Sequence, residues 1–422
     1  MNHRLSSIAG RCGAALFSAL LLAQGVAVAQ TLCCATLPTP IPLPKPLSIE
    51  RYLGPHASYS AEYGLGGING FGSVIHTEFD ANGVHVGGVY NQGTPPANVK
   101  YHLAPGLVIQ PGCQGLASSV TVSGSNAGGV NGAGMAAATG WLAASPTNTS
   151  TTLALALFGD NVYRALCPYR ADPGAYSEAN AINDYGIVVG VSGTPGWFDI
   201  PMLWSAWNTS GLGTPIDLSG TGIPAFARSG ARPIAINRGS TVVGWATGDA
   251  TSMTRVRGWM KRPSSSAIAM DYGANTKPTA VNDAGVVVGS AMQGSVQRAW
   301  VWQPDPAPGG MSWLPAPSDG GSSDALAVSN EGSTVAGTCN GRACFWTASC
   351  TPLAAGGRRC AWNPPVNISI TTYLPTSFQR VLAIADTADA ANRDELMLVE
   401  GTAQGFDGVW GAQAWVVRRL GP

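Results

Sequence analysis

A short turn motif recurs along most of the chain and limits what the chain can fold into. Each copy reads Asn or Asp, two variable residues, Gly or Ser, and an apolar run that usually ends in Gly, as in residues 281–289. Aligned on its first residue, the motif occurs seven times at intervals of 45 to 56 residues, at Asp80, Asn131, Asn183, Asn237, Asn282, Asn330 and Asp386. Such intervals are typical of propellers, in which each repeat forms one four-stranded blade.

Each copy of the motif predicts a β-hairpin. The Asn or Asp side chain accepts hydrogen bonds from backbone N–H groups a few residues later and so closes the turn. The Gly three residues on supplies positive φ, so Ser240 and Ser333, which replace it, predict hairpins that are slightly strained or differently shaped. The Gly that ends the apolar run, such as Gly244 or Gly289, predicts a close approach of neighbouring backbones.

A strand with a tryptophan follows most of these hairpins. Residues 257–260, 298–302, 342–346 and 413–417 occupy matching places and have the aromatic and β-branched content of strands. A further apolar run, such as residues 268–270, predicts the fourth strand of each unit. The recurring tryptophans are interpreted as core residues between blades; they are Trp259, Trp300, Trp346 and Trp415.

The chain is therefore predicted to be all-β, a seven-bladed β-propeller of four-stranded antiparallel blades, and the uneven spacing allows six to eight blades. The last copy ends without room for a fourth strand, whereas residues 47–53 alternate apolar with polar side chains ahead of the first copy. We expect this N-terminal strand to close the last blade, because pairing the two chain ends removes an open sheet edge. An unpaired N-terminal arm is the alternative.

The repeat resembles the bacterial extracellular HAF repeat, whose pattern is Ala-x-x-Ile-Asn-x-x-Gly-x-Val-Val-Gly followed by a His-Ala-Phe-like strand. The match spans roughly residues 70–417 and includes Ala235, Asn237, Val242, Val243 and Gly244, and Ala280, Asn282, Gly285, Val287, Val288 and Gly289. Four copies have Arg where the His would stand, at Arg164, Arg257, Arg298 and Arg342. The resemblance implies an exported, propeller-like protein and brings no catalytic residues.

The N-terminus predicts export. Residues 1–29 read as a signal peptide, with Arg4 and Arg11 before an apolar stretch and an Ala-x-Ala site at residues 27–29. Residues 30–46 are Pro-rich and read as a linker, and residues 47–422 read as a single propeller domain. No later stretch approaches the ~18 apolar residues that span a bilayer, so we expect no membrane insertion. The expected location is secreted or periplasmic.

Eight of the nine cysteines follow the predicted cleavage site. An even number in an oxidising compartment predicts disulfide bonds. Cys339 and Cys344 flank an Asn-Gly turn, and Cys350 and Cys360 flank a short insertion, so these are the candidate pairs. The partners of Cys33, Cys34, Cys113 and Cys167 stay open. The spacing does not suit zinc, and neither a metal nor a cofactor is predicted.

Composition argues against nucleic acid as a partner. Charged residues make up 11% of the chain, and 23 Lys and Arg balance 23 Asp and Glu. This is far below the ~25% of ordinary proteins. No basic stripe exists to release counterions from a phosphate backbone.

Two groups of residues contain side chains of the types that bind metals or catalyse acid–base reactions. His56, His76, His85 and His102 lie close in sequence with Glu78, but we interpret them as surface residues of the first blade. Asp184, Asp283 and Glu331 follow the turn residues, so a structural or merely solvated role is favoured over the paired carboxylates of a glycosidase. No catalytic residue is predicted.

Tryptophans outside the repeated position are the candidates for ligand stacking, because flat aromatic faces bind sugar rings. They are Trp141, Trp197, Trp207, Trp245 and Trp362. The favoured function is a secreted non-catalytic protein that binds a glycan or protein ligand. The alternatives are a hydrolase or lyase acting on an extracellular polysaccharide, and a structural protein of the cell envelope. The oligomeric state stays open.

Overall fold

The computed structural model describes residues 47–55, 67–71, 73–79, 84–90, 99–103, 105–144, 151–158, 162–194, 199–223, 230–248, 255–304, 310–352, 358–368, 377–386, 394–404 and 410–419. The predicted signal peptide and linker, together with Cys33, Cys34, His56, Asp80 and Trp197, lie outside these ranges. One unit of the chain spans Lys45–Pro422 and holds every described residue; the other is Met1–Pro44.

The regular structure of the described ranges is β-strand throughout, apart from one 3-10 helix at Ser219–Thr221. The strands are β1 (Leu47–Pro55), β2 (Gly67–Ile68), β3 (Val74–Phe79), β4 (His85–Tyr90), β5 (Val99–His102), β6 (Val108–Ile109), β7 (Val120–Val130), β8 (Ala136–Leu142), β9 (Thr152–Phe158), β10 (Val162–Leu166), β11 (Tyr176–Ile182), β12 (Ile187–Gly193), β13 (Ile200–Ser205), β14 (Thr214–Pro215), β15 (Ala231–Ile236), β16 (Val242–Thr247), β17 (Val256–Lys261), β18 (Ile268–Met270), β19 (Ala274–Val281), β20 (Val287–Gln293), β21 (Val296–Gln303), β22 (Gly310–Trp313), β23 (Ser323–Val328), β24 (Thr334–Cys339), β25 (Arg342–Pro352), β26 (Arg358–Trp362), β27 (Val366–Asn367), β28 (Ser377–Asp386), β29 (Glu395–Gln404) and β30 (Trp410–Arg419). The all-β prediction is confirmed.

Within the described ranges these strands form seven antiparallel sheets, most of them four-stranded and built in chain order. Sheet I holds β2 to β5, sheet II β6 to β10, sheet III β11 to β14, sheet IV β15 to β18, sheet V β19 to β22 and sheet VI β23 to β27. Sheet VII holds β28, β29 and β30, and β1 pairs with β30 at its outer side, with Leu47 opposite Arg419.

The strand that precedes the repeated turn in each repeat, here called the lead strand, lies beside the lead strand of the next sheet. The lead strands are β2, β7, β11, β15, β19, β23 and β28, and they contact one another in that order. β28 in turn contacts β2, so the first and last repeats are neighbours.

Apolar side chains fill the space between sheets. Trp259, Trp300 and Trp346 are fully buried on the third strands of sheets IV, V and VI, as their repetition predicts. Each aromatic side chain of this kind removes roughly 150–250 Å² from water, which makes these residues a dominant part of the core. The side chain of the fourth, Trp415, lies outside the described part.

A row of asparagines, the Asn belt, joins neighbouring sheets at the end of the lead strands. Its members are Asn69, Asn131, Asn183, Asn237 and Asn282, all buried. The Oδ1 atom of Asn237 accepts a bond from the N–H of Thr241 (2.8 Å) and closes its own turn. Its Nδ2 atom donates to the carbonyl of Asn282 in the next sheet (2.8 Å). Each of the other belt members makes the same two kinds of bond.

Two turn residues were assigned wrongly from the sequence. In the first repeat, Asn69 closes the turn after the lead strand, whereas Asp80 falls between β3 and β4. In the sixth repeat, the hydroxyl of Ser329 accepts from Thr334 N–H (3.1 Å), so Ser329 replaces Asn330. This turn has one extra residue, and Gly332 (φ 71°) supplies the positive φ instead of Ser333.

The strain predicted for Ser240 is present, and so is the close approach at the terminal glycines. Ser240 adopts φ 57°, a region that L-residues occupy at a cost of roughly 1–2 kcal/mol. A Cβ at Gly244 would overlap the carbonyl oxygen of Arg232 and lie 2.5 Å from Cζ2 of Trp259. Gly289 meets the equivalent atoms of Lys277 and Trp300.

The expectation of disulfide bonds is confirmed. Cys339 is bonded to Cys344 and Cys350 to Cys360, both within sheet VI. A third bond joins Cys113 to Cys167, 54 residues apart, and ties the segment before β7 to the end of β10. The sequence left this last pairing open.

Candidate functional site

A cavity of about 240 Å³ lies between the lead strands. Its wall contains an alanine two residues before the turn residue in four successive sheets, and these are Ala181, Ala235, Ala280 and Ala327. Gly129 continues the series in sheet II. Small side chains at this level leave the space that larger ones would fill, so the repeat itself builds the cavity.

Lys277 and Trp245 bring a charge and an aromatic face to the cavity wall. The Nζ atom of Lys277 lies 5.1 Å from the ring centroid of Trp245, within the range of a cation–π interaction. Trp245 is only 7% exposed. Lys277 is on β19 and Trp245 on β16, so the pair forms only where sheets IV and V pack together.

A half-buried ionic cluster crosses from sheet III to sheet IV. Arg232 contacts Glu178 (Nη1–Oε2, 3.2 Å) and Asp199 (Nη2–Oδ2, 2.7 Å), and the hydroxyl of Tyr176 donates to Asp199. Burial raises the pKa of Glu178 above its usual 4.5, and the guanidinium of Arg232 partly offsets this shift. Burial and the bond to Asp199 also raise the pKa of the Tyr176 hydroxyl. The guanidinium of Arg232 thus holds both carboxylates.

An exposed aromatic platform is formed by Trp207, Tyr185 and Phe158. Trp207 is 59% exposed and Tyr185 is 58% exposed. The indole N–H of Trp207 donates to the carbonyl of Tyr185 (3.0 Å), and its ring lies 5.4 Å from that of Phe158. Trp207 follows β13, and Tyr185 lies in the turn closed by Asn183. The sheet brings them together because Ile187, just after that turn, pairs with Ser205.

Charged groups surround this platform. The guanidinium of Arg238 lies 5.9 Å from the ring centroid of Tyr185, and that of Arg164 lies 5.3 Å from Phe158. The Tyr185 hydroxyl, together with Asp184 and Asp283, raises the pKa of Arg238. The platform therefore combines two exposed rings with planar donors and carboxylate acceptors.

The structure separates the candidate tryptophans into different environments. Trp207 is exposed on the platform, whereas Trp245 is buried at the cavity wall. Trp362 is partly buried against the core of sheet VI, and Trp141 is partly buried on β8. Trp197 lies outside the described part of the chain. The four candidates in the described part do not form one site.

Two of the three acidic residues beside the turns, Asp184 and Asp283, use their carboxylates to link neighbouring sheets. Oδ1 of Asp184 accepts from the N–H of Gly132 (2.7 Å), and Oδ1 of Asp283 accepts from Arg238 N–H (2.8 Å), so each links two sheets. The N–H of Glu331 donates to Asp386 (3.1 Å). Among described residues, no cluster of three His, Cys, Asp or Glu could hold a metal ion. The side chains of the four histidines and Glu78 lie outside the description.

Sequence reasoning missed Tyr185, Arg238 and Lys277. Tyr185 and Arg238 occupy variable positions of the turn motif, where a large side chain instead of Gly or Ala was the only available signal. Lys277 is the one charged residue of β19, and this charge was the signal for a residue at the cavity. No helix in the described part is long and apolar enough to cross a membrane.

Comparisons with known proteins assign no family. No family model matches the chain, and no curated protein matches it. Several solved structures are weakly similar in fold, among them TolB, a neuraminidase-like protein and a lectin. TolB from Acinetobacter baumannii has 12% identity and a TM-score of 0.34, covering 64% of this chain and 62% of its own length.

The other two similar structures cover more of the chain at lower identity. The neuraminidase-like protein of subtype N11 from A/flat-faced bat/Peru/033/2010 (H18N11) has 10% identity and a TM-score of 0.35, covering 90% of this chain and 97% of that one. The six-bladed β-propeller lectin of Aleuria aurantia has 10% identity and a TM-score of 0.29, covering 85% and 94%. Likenesses at this level transfer no activity.

Proposed function

We propose that the chain is an exported, non-catalytic glycan-binding protein, built as a closed seven-bladed propeller of HAF-type repeats. The repeat motif and the Asn belt support the repeat assignment. The contact of β28 with β2 and the pairing of β1 with β30 support closure. Three disulfide bonds among described residues suit an oxidising compartment and so support export.

The exposed pair of Trp207 and Tyr185 is the observation that carries the binding role. Large aromatic side chains are costly to leave in water, and an exposed aromatic group rimmed by polar residues marks an interaction site. Arg238 and Asp184 beside the rings offer the hydrogen-bond donors and acceptors that sugar hydroxyls require. A neutral glycan suits this mixture better than an anionic one, because carboxylates lie next to Arg238.

Arginine contacts to buried or partly buried carboxylates disfavour the polysaccharide hydrolase and lyase alternatives. A glycosidase needs one carboxylate as a proton donor and a second as a base or nucleophile. Glu178 and Asp199 are instead both bound by Arg232, which would have to be displaced before either could act. Glu400, which is 2% exposed, is likewise held by Arg380 (2.8 Å).

A glycan array with the full exported chain tests the binding role. We expect neutral oligosaccharides to bind. Trp207→Ala should weaken binding by at least about fivefold, if stacking of a sugar on the ring is comparable to the roughly 1–3 kcal/mol of a base stacked on an aromatic side chain. Tyr169→Ala is the matched control, because Tyr169 is also exposed (48%) but bonds through its N–H to Ser192, at the end of β12 opposite to the platform turn. Absence of glycan binding, or equal binding by the wild type and Trp207→Ala, would contradict the proposal.

A further inference from the structure

The cavity between the lead strands has the features of a binding site separate from the aromatic platform. Its wall is mostly apolar, with Ala235, Ala280 and Leu382 among its residues. An apolar cavity of roughly 150 Å³ is enough to bind benzene. A cavity of about 240 Å³ therefore has room for one aromatic ring with a small polar substituent.

Lys277 supplies the only ammonium group among the described residues of this wall. Its Nζ atom contacts the ring of Trp245, and no described carboxylate lies within ion-pair distance of it. The carboxylates at the matching position of other lead strands have other partners. Glu178 is bound by Arg232 (3.2 Å), and Asp324 accepts from Nε2 of Gln297 (2.7 Å).

An uncompensated ammonium beside an apolar surface favours an anion. A charge partly removed from water gains most from a partner of opposite sign, because the surrounding dielectric is low. The ring of Trp245 compensates Lys277 only in part, since a cation–π contact is weaker than a hydrogen-bonded ion pair. The apolar wall selects an anion that carries an apolar body.

We propose that this cavity binds a small carboxylate with an apolar ring or chain, with its carboxylate on Lys277 and its apolar part against the alanine wall. This site is independent of glycan binding at Trp207. In this proposal Lys277 recognises the negative charge of the ligand, and Ala280 limits the cavity volume available to its apolar part.

Fluorine NMR titration of the full chain with 4-fluorobenzoate tests the proposal, and 4-fluorobenzamide serves as the uncharged probe of the same shape. We expect 4-fluorobenzoate to bind at least tenfold more tightly than the amide. Lys277→Met should remove this preference, whereas Lys261→Met, which changes a partly buried lysine on β17 that does not line the cavity, should preserve it. Ala280→Leu should weaken both probes by filling the cavity.

Three results would overturn the proposal: no binding of 4-fluorobenzoate, equal binding of the two probes, or unchanged anion preference in Lys277→Met. Lys277→Met keeps the length of the side chain, so the test does not depend on whether Ala280→Leu folds. Trp207→Ala should bind 4-fluorobenzoate as the wild type does. This outcome separates failure of the cavity site from failure of the glycan site.

Discussion

Removal of one side chain of the Asn belt should weaken the link between two sheets by a measurable amount. Asn237→Ala removes the acceptor for Thr241 N–H and the donor to the carbonyl of Asn282. The carbonyl of Asn282 keeps a second partner, the N–H of Gly285 (3.0 Å). Only the N–H of Thr241 is left without a partner.

The cost follows from these two unequal losses. A buried N–H without a partner costs about 1–3 kcal/mol, and the loss of one further hydrogen bond costs about 0.5–1.5 kcal/mol. Asn237→Ala should therefore lower the free energy of unfolding by about 2–4 kcal/mol. Asn237→Ser should cost only about 1 kcal/mol, because a hydroxyl can close the turn, as Ser329 does, but cannot reach the next sheet.

Urea unfolding of the three proteins measures these differences, with Asn367→Ala as the control at an exposed asparagine. The control should stay within about 0.5 kcal/mol of the wild type, as surface substitutions usually do. If Asn237→Ala and Asn237→Ser are equally stable, or both match the wild type, the belt does not join the sheets as described.

Three further predictions concern packing, charge and covalent links. Gly244→Ala should lower the free energy of unfolding in urea by about 2–3 kcal/mol, because its Cβ would overlap the backbone of β15. Gly310→Ala, whose Cβ would meet no atom within 4 Å, should be near neutral. Equal losses in the two variants would refute this. The raised pKa of Glu178 means that the folded state holds this proton more tightly than the unfolded state, so its contribution to stability declines as pH rises above 4.5. Glu178→Gln should therefore show a smaller decline in urea midpoint above pH 4.5 than the wild type, and parallel curves would contradict it. Replacing Cys113 and Cys167 with Ser should lower the free energy of unfolding by about 4 kcal/mol, and replacing Cys339 and Cys344 with Ser by about 2 kcal/mol. The two disulfides close loops of different length, with separations of 54 and 5 residues. The reverse order of stability in thermal unfolding would contradict this prediction.

The local sequence was sufficient to predict the turns in which both the closing residue and the residue with positive φ are evident from the motif. Asn183, Asn237 and Asn282 each precede a residue with positive φ by three positions, and the sequence marks both. It was insufficient in the first repeat, because Asp80 and Asn69 both begin turn-like sequences within one sheet. Only strand pairing distinguishes the hairpin after the lead strand from the next one.

The candidate site was harder to predict because its parts are far apart in sequence and, apart from Trp207 and Tyr185, come from different repeats. Trp207 and Tyr185 are 22 residues apart and meet through the pairing of β12 with β13. Lys277 and Trp245 meet through the packing of two sheets. Trp207 and Trp245 stood out in the sequence because they lie outside the repeated tryptophan position. Which of the two is exposed depends on tertiary packing.

Closure of the ring through β1 is the central claim, and a cross-strand disulfide tests it most directly. In the register of the β1–β30 pair, Ile49 lies opposite Val417. With Cys33 and Cys34 replaced by Ser, the Ile49→Cys/Val417→Cys variant should form one additional disulfide on mild oxidation, seen by intact mass after denaturation. The displaced pair Ile49→Cys/Ala414→Cys should not. Absence of the bond in the first variant, or equal yields in both, would contradict the closed ring.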